Sequence, residues 1–175
     1  MNPWMSHQEI QTILKYLDTS KIMLEYGCGG STLFFPEYVK EYYSIEHNKN
    51  WYHKIYPQIS NNVSLFYVDK NSDTPESERI FATNWGDLDL SSRSKDYKDY
   101  ISYPFKINLK FDIVLIDGRA RPECAKFILS YLNEEAYVIV HDYWPRQKYH
   151  LILEKYEIVD YVKTGQSVAV LKVKK

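Results

Sequence analysis

The stretch Leu24-Glu25-Tyr26-Gly27-Cys28-Gly29-Gly30-Ser31-Thr32 joins an apolar strand directly to a glycine-rich turn. Gly27 and Gly29 have no Cβ atom, so a ligand can lie against the main chain of the turn while the hydroxyl residues that follow open a helix. Glu46 ends the next apolar run, 21 positions after Glu25, where a carboxylate can accept both hydroxyls of a ribose. The layout predicts a site for a nucleotide-type cofactor.

The turn differs from a dinucleotide fingerprint, because the third glycine of that pattern would fall on Thr32. The string E-x-G-x-G-x-S, with Ser44-Ile45-Glu46-His47, resembles motif I and the following acidic motif of the class I S-adenosylmethionine-dependent methyltransferases. The resemblance implies S-adenosylmethionine as cofactor, with Glu25 at its amino-acid end and Glu46 at its ribose. The predicted cofactor-binding residues are Glu25, Tyr26, Gly27, Gly29, Ser31, Thr32, Glu46, His47, Asp69 and Asp117.

Strand and helix patterns alternate along the chain and predict an α/β fold. The predicted strands are 22–26, 41–46, 63–69, 112–117, 136–141, 156–162 and 167–173, and the predicted helices are 6–18, 31–38, 48–58, 121–132 and 145–155. The central strands are almost wholly apolar, as strands covered on both faces must be. The last two strands read as a hairpin. We therefore expect a Rossmann-like three-layer sandwich with a mostly parallel seven-stranded sheet and an antiparallel last strand, the architecture of the methyltransferases that the motif resembles.

The length of 175 residues indicates a single methyltransferase domain over 1–175. An insertion at about 70–110 separates the third and fourth strands and is longer than the fold needs. It contains Trp85 and several other aromatic residues, which disordered segments rarely do. The insertion is predicted to be a folded element that covers the substrate. The alternative is an insertion without a functional role.

Charge and hydropathy predict the partners and the location of the protein. The formal net charge is −1, and no basic block is interleaved with aromatic residues. We therefore expect a small-molecule or glycan acceptor and no nucleic-acid partner. Residues 1–7 show no cationic segment leading into an apolar run, and no apolar run is long enough to span a bilayer. These features predict a soluble, cytoplasmic protein without a membrane partner, and they leave the oligomeric state open.

Ionisable residues follow the fourth and fifth predicted strands, at the sheet edge where open α/β folds bind ligands. They are Asp117 and the pair His141-Asp142. Methyl transfer to an alcohol requires removal of a proton, and His141 has an ordinary pKa near neutrality. The two carboxylates can orient the imidazole, take the proton themselves, or share with it a divalent cation such as Mn²⁺, Mg²⁺ or Co²⁺. Asp117, His141 and Asp142 are therefore the predicted catalytic residues and also the predicted metal ligands.

Of these mechanisms we favour the metal-assisted one, because two carboxylates and an imidazole assemble at lower cost around a cation than beside each other. The alternative without chemistry is that Asp117 and Asp142 cap the following helices and His141 is a core residue.

The same two strand ends resemble a narrower group. Phe111-Asp112-Ile113-Val114-Leu115-Ile116-Asp117-Gly118-Arg119 and Val138-Ile139-Val140-His141-Asp142-Tyr143 resemble small methyltransferase-like proteins with an "IDGR" and an "HDY" strand end. They also resemble plant glucuronoxylan 4-O-methyltransferases, although Arg119 stands where those have proline. A weaker similarity reaches the metal-dependent sugar and catechol O-methyltransferases, whose metal ligands fall on positions matching Asp117, His141 and Asp142. These resemblances imply O-methylation of a sugar or glycan.

Arginine and aromatic residues crowd the same predicted edge, where Arg can clamp a carboxylate and an aromatic ring can cover the C–H face of a sugar. The predicted substrate-binding residues are Trp85, Arg119, Arg121, Tyr143, Arg146 and His150. The alternative for the arginines is that they are solvated residues at helix ends. The sequence thus predicts an S-adenosylmethionine-dependent O-methyltransferase acting on a sugar or glycan hydroxyl. The alternatives are a methyltransferase for a small phenol, amine or carboxylate, and a non-catalytic nucleotide-cofactor binding module.

Overall fold

A computed structural model describes residues 1–71 and 95–175. The strands are β1 (Ile22–Tyr26), β2 (Glu41–Glu46), β3 (Val63–Tyr67), β4 (Phe111–Ile116), β5 (Leu132–His141), β6 (Tyr156–Val162) and β7 (Val168–Val173). They form one sheet in the order β3-β2-β1-β4-β5-β7-β6, in which β1 to β5 pair in parallel and β7 runs antiparallel to both β5 and β6. This sheet confirms the predicted Rossmann-like fold with its antiparallel last strand.

The helices are shorter than predicted and several end in tighter turns. They are α1 (His7–Leu14), α2 (Gly30–Phe34), α3 (Lys49–Ile55), α4 (Lys98–Ser102), α5 (Pro104–Ile107) and α6 (Arg121–Ile128). The 3-10 segments Phe35–Tyr38 and Tyr56–Gln58 continue α2 and α3, because Pro36 and Pro57 lack the N–H that an α-helix needs. The predicted helix 145–155 is also a 3-10 segment, Gln147–Glu154.

The core lies on both faces of the sheet, as the apolar strands predict. In β4, Ile113 and Leu115 pack on the face covered by α1, α2 and α3, whereas Val114 and Ile116 pack on the face covered by α4, α6 and Gln147–Glu154. All of these residues are fully buried. The three layers leave the carboxyl ends of β1, β2, β4 and β5 at one edge of the sheet. Within the described ranges, no helix is both long and apolar enough to cross a bilayer.

Some residues in the described part of the predicted insertion pack into the core. Tyr100 of α4 is fully buried and its ring centroid lies 5.5 Å from that of Tyr26. The Tyr26 hydroxyl donates to the Ile101 carbonyl over 2.8 Å. Residues 72–94, and with them the predicted substrate residue Trp85, lie outside the described residues. The covering role of the insertion and the single domain over 1–175 therefore stay predictions.

The glycine-rich turn after β1 is wedged between two other parts of the chain. Gly27 has a φ of 101°, and a Cβ added to it would lie 3.0 Å from the amide nitrogen of Gly118, just past β4. A Cβ on Gly30 would lie 2.0 Å from the carbonyl oxygen of Asn2. The turn is thus close enough to both neighbours that side chains at these two positions have no room.

We predict that Gly27→Ala lowers the free energy of unfolding by about 1–3 kcal/mol, because alanine is strained at this φ and its Cβ meets the Gly118 backbone. Gly29→Ala is the control. Gly29 has an extended φ of 175° and its added Cβ would meet only the Trp51 indole at 3.5 Å. Urea unfolding of both variants measures the difference, and equal stabilities would show that the turn is not constrained in this way.

Candidate functional site

A cleft of about 910 Å³ opens at the carboxyl edge of the sheet. Its volume falls within the range of small-molecule and cofactor sites. The predicted site residues that line it are Glu25, Gly27, Gly29, Ser31, Glu46, His47, Asp117, Arg119, Arg121, His141 and Asp142. The structure therefore brings the predicted cofactor turn and the predicted catalytic residues into one cleft.

Glu25 forms the buried floor beside the turn. Its carboxylate accepts hydrogen bonds from the hydroxyls of Ser31, of Thr32 over 2.6 Å and of Ser44 over 3.2 Å. Burial raises the pKa of Glu25 to about 7, although the hydrogen bonds from Ser31 and Thr32 oppose this rise. Near neutral pH the group can therefore be neutral in an empty cleft and become ionised beside a bound cation.

Glu46 supports the turn from β2 while facing the cleft. One carboxylate oxygen accepts from the Cys28 amide over 2.8 Å, and the other accepts from the Asn48 amide over 2.7 Å. Each carboxylate oxygen can accept two hydrogen bonds, so Glu46 retains acceptor capacity for a ligand. The side chain is buried, and its position is fixed before any ligand arrives.

Trp51 lines the cleft beside Gly29 and was not predicted from the sequence. Its indole N–H donates to the Cys28 carbonyl, and the Lys54 ammonium lies 4.4 Å from the centre of its ring. The predicted helix 48–58 contains Trp51, but the pattern did not say which of its faces meets the turn. The predicted cofactor residue Asp69 lies in an adjoining pocket of about 190 Å³, which shares His47, Asn48 and Asn50 with the cleft.

Asp117 and His141 form a hydrogen-bonded pair at the ends of β4 and β5. Asp117 Oδ1 and His141 Nδ1 are 2.8 Å apart. Burial raises the pKa of Asp117, but the hydrogen bond from His141 and the charge of Arg121 lower it by more, so the net pKa is below its ordinary value. Burial lowers the pKa of His141, yet its hydrogen bond to Asp117 raises that pKa overall. An ionised carboxylate only accepts, so His141 Nδ1 carries the proton between them.

Arg121 is buried at the base of this pair rather than solvated at a helix end. Its guanidinium donates to the carbonyls of Asp117 over 2.9 Å and Gly118 over 3.0 Å, and to that of His141. It also lies 3.1 Å from the Asp142 carboxylate and 3.4 Å from that of Asp117. These donors hold the ends of β4 and β5 together. Arg121 also lines the cleft, and its predicted contact with the substrate stays a prediction.

Glu9 lies beside His141, and the sequence did not predict it as a residue of this site. It is fully buried, and its carboxylate lies 4.0 Å from His141 Nε2 while accepting from the Ser167 amide. The capping box of Ser6 and Glu9 is visible in the sequence as a helix start. Nothing in that pattern says that the same carboxylate reaches the β6–β7 turn and the histidine.

The remaining predicted residues within the described ranges lie away from the cleft wall. Tyr26 and Tyr143 are fully buried core residues, and Thr32 is buried behind Glu25. The Tyr143 ring packs 5.0 Å from that of His150. Arg146 contacts Asp142 at 3.7 Å but does not line the cleft.

The predicted metal ligands come together without the geometry of a metal site. Ligand atoms of Asp117, His141 and Asp142 lie within 4.8 Å of one another. However, His141 Nδ1 is engaged with Asp117, and Nε2, the ring nitrogen with a free lone pair, lies on the side of Glu9. The guanidinium of Arg121 already contacts both carboxylates. The donor set therefore does not fit a divalent cation, contrary to the metal-assisted mechanism favoured from the sequence.

Comparison with known proteins relates this geometry to a fold. No family model matches the sequence, and no curated protein matches it significantly. A methyltransferase-like protein from Silicibacter pomeroyi is 20% identical, with a TM-score of 0.68 over 98% of this chain and 88% of that one. A ribosomal protein L11 methylase from Lactobacillus delbrueckii is 13% identical, with a TM-score of 0.66 over 97% and 81%. An rRNA methylase from Streptococcus thermophilus is 12% identical, with a TM-score of 0.61 over 97% and 96%.

At these identities the likeness shows the fold, which is the Rossmann-like fold of class I methyltransferases. It gives no support to the narrower "IDGR" and "HDY" group.

The likeness also shows that the exclusion of nucleic-acid partners was wrong, because a protein named as an rRNA methylase shares this fold over 97% of the chain. Net charge averages over the whole surface, whereas contact with a phosphate backbone depends on local basic groups. Such groups are present in the cleft wall at Lys54 and Arg119.

We predict that the stability of the protein falls as the pH rises from about 4.5 to 7, and that Glu25→Gln removes part of this dependence. The pKa of Glu25 is higher in the folded than in the unfolded chain, so the folded state binds the proton more tightly. Its contribution to stability is therefore present at low pH and is lost, by roughly 2–3 kcal/mol, as the pH approaches the folded-state pKa. Urea unfolding at several pH values measures how steeply stability changes with pH in the wild type and in Glu25→Gln. Identical slopes for the two proteins would contradict the raised pKa of Glu25.

Proposed function

We propose that the protein is an S-adenosylmethionine-dependent methyltransferase. The observation that carries the proposal is the Glu46 carboxylate, which is fixed at the cleft wall beside the glycine-rich turn, in the same cleft as the acidic ends of β4 and β5. The methyltransferase fold supports it. When bound, S-adenosylmethionine supplies an electrophilic methyl group on a sulfonium.

The residues of the turn suit the parts of this cofactor. Gly27 and Gly29 allow it to lie against the main chain, and Glu46 can accept from its ribose hydroxyls. Glu25 can become ionised beside its amino group, because the pKa of about 7 is lowered by a neighbouring cation. Trp51 adds a flat apolar wall on the other side of Gly29.

The carboxylates are better exposed to an acceptor than the imidazole. The side chains of Asp117 and Asp142 are 28% and 25% exposed, whereas that of His141 is 2% exposed. We therefore assign acceptor binding and proton removal to Asp117 and Asp142. His141 holds Asp117 in place by donating from Nδ1. Of the mechanisms that the sequence left open, this is the one in which the carboxylates take the proton themselves.

A hydroxyl of a sugar or glycan remains the proposed acceptor. Two carboxylates can accept from neighbouring hydroxyls, and Trp4, which is 85% exposed at the cleft, offers a flat face for the C–H side of a sugar ring. The strand-end motifs support the same class by resemblance. Small phenols, amines, carboxylates and RNA are the competing acceptors, and a non-catalytic cofactor-binding module is the alternative without chemistry.

We predict that S-adenosylhomocysteine binds the wild-type protein and that Glu46→Gln weakens this binding by about 10- to 150-fold, since one charge-assisted hydrogen bond is worth roughly 1.5–3 kcal/mol. Gly29→Ala should weaken it as well, by filling the surface against which the cofactor lies. Glu41→Gln is the matched control, because Glu41 begins the strand that Glu46 ends. Calorimetry measures all four proteins. Tight binding of NAD without any response to S-adenosylhomocysteine would exclude the proposed function.

We predict that Asp117→Asn and Asp142→Asn each lower methyl transfer by about 10²–10⁴, because each removes a base from the acceptor wall. The affinity for S-adenosylhomocysteine should stay near wild type in Asp142→Asn, because Asp142 is not among the predicted cofactor-binding residues. Transfer of a labelled methyl group is measured on oligosaccharides, phenols, amines, carboxylates and RNA oligonucleotides. Turnover on oligosaccharides supports the sugar assignment. Turnover confined to another class of acceptor would replace the sugar assignment by that class. Wild-type rates in both variants would remove these carboxylates from the mechanism.

A further inference from the structure

Two acids that follow β4 and β5, Asp117 and Asp142, contact one buried cation, the guanidinium of Arg121 at the start of α6. The Arg121 guanidinium lies 3.4 Å from Asp117 Oδ1 and 3.1 Å from Asp142 Oδ2. Of these three residues only Arg121 is buried, while the carboxylates reach the cleft. The cation is therefore less accessible from the cleft than the two carboxylates that it contacts.

We propose that Arg121 is the resident cation of the acceptor site, a positioning residue that holds Asp117 and Asp142 where a divalent metal would otherwise be required. The part of this inference that concerns the acceptor rests on the proposed function. The part that concerns charge and metal binding rests on the described contacts alone.

The geometry favours a guanidinium for this task. Arg121 donates from Nε to the Gly118 carbonyl over 3.0 Å and from Nη2 to the Asp117 carbonyl over 2.9 Å. It also donates from Nη1 to the His141 carbonyl. These carbonyls end two neighbouring parallel strands and would otherwise need partners in a buried region. A planar fork can satisfy them together and still face both carboxylates, which the single ammonium of lysine cannot.

The charges of the neighbouring arginine side chains already compensate those of the two carboxylates, so no metal ion is needed to do so. Asp142 lies 3.1 Å from Arg121 and 3.7 Å from Arg146, so two guanidinium groups face the two carboxylates. A divalent ion bound between Asp117 and Asp142 would lie within a few ångströms of the buried Arg121 charge. Repulsion between cations is strong in such a poorly solvated place. The ion could bind only if Arg121 moved and left its carbonyl partners unsatisfied.

The test is a Mn²⁺ titration of the ligand-free protein, followed by electron paramagnetic resonance. We expect wild-type protein to take up no Mn²⁺ at this cluster at low millimolar concentration, and Arg121→Gln to bind one ion at least about tenfold more tightly. Arg121→Lys keeps the charge and should bind no better than wild type. Lys126→Gln, on the exposed side of the same helix, removes the same charge away from the cluster and should also resemble wild type.

Binding of Mn²⁺ by the wild type that is lost in Asp142→Asn would overturn the inference, as would a folded Arg121→Gln that binds no ion. If Arg121→Gln does not fold, wild-type protein decides the question through Mn²⁺ broadening of histidine ring signals. We then expect broadening at the exposed His7 no weaker than at the buried His141, and selective broadening of His141 overturns the inference. None of these measurements uses cofactor or acceptor. Failure to bind S-adenosylhomocysteine would therefore remove the proposed function without affecting the result for Arg121.

Discussion

The pairing of β1 with β4 at the centre of the sheet is the contact on which the site depends. It continues one residue past β4, where the Asp117 amide donates over 3.0 Å to the carbonyl of Tyr26, the last residue of β1. A Cβ on Gly118 would lie 2.1 Å from the Tyr100 hydroxyl and 3.0 Å from the Tyr26 carbonyl oxygen. Glycines on both sides of this contact bring the glycine-rich turn and the carboxylate of Asp117 together. Because parallel strands end at the same edge, the second strand end adds its residues to the same cleft.

Around this contact, buried charges are matched rather than isolated. Glu25 is surrounded by hydroxyl donors, Glu46 by backbone amides, and the acids at the ends of β4 and β5 by a guanidinium. Each pairing reduces the cost of keeping an ionisable group out of water. The groups that face the cleft are therefore positioned by the protein in advance, as electrostatic catalysis requires.

The N-terminal segment joins the same arrangement from outside the sheet. Asn2 packs against Gly30, and Glu9 of α1 connects the β6–β7 turn to His141. The cleft is thus closed by residues from both ends of the described chain. A ligand in the cleft would contact elements distant in sequence, and their relative positions depend on the intact sheet.

The sequence by itself determined the seven strands, the mostly parallel sheet with its antiparallel last strand, the glycine-rich turn, and the residues at the strand ends, because these follow from local rules. Apolar runs predict buried parallel strands, and a glycine turn before a helix predicts a ligand near its main chain. Only the tertiary structure decided that Arg121 turns inward, that Glu9 approaches His141 and that Trp51 lines the cleft. Local patterns place a residue on an element, but the direction and partners of a long side chain depend on packing between elements far apart in the chain. For the same reason, two acids and a histidine in sequence suggested a metal, while the fold supplies the cation from a buried arginine.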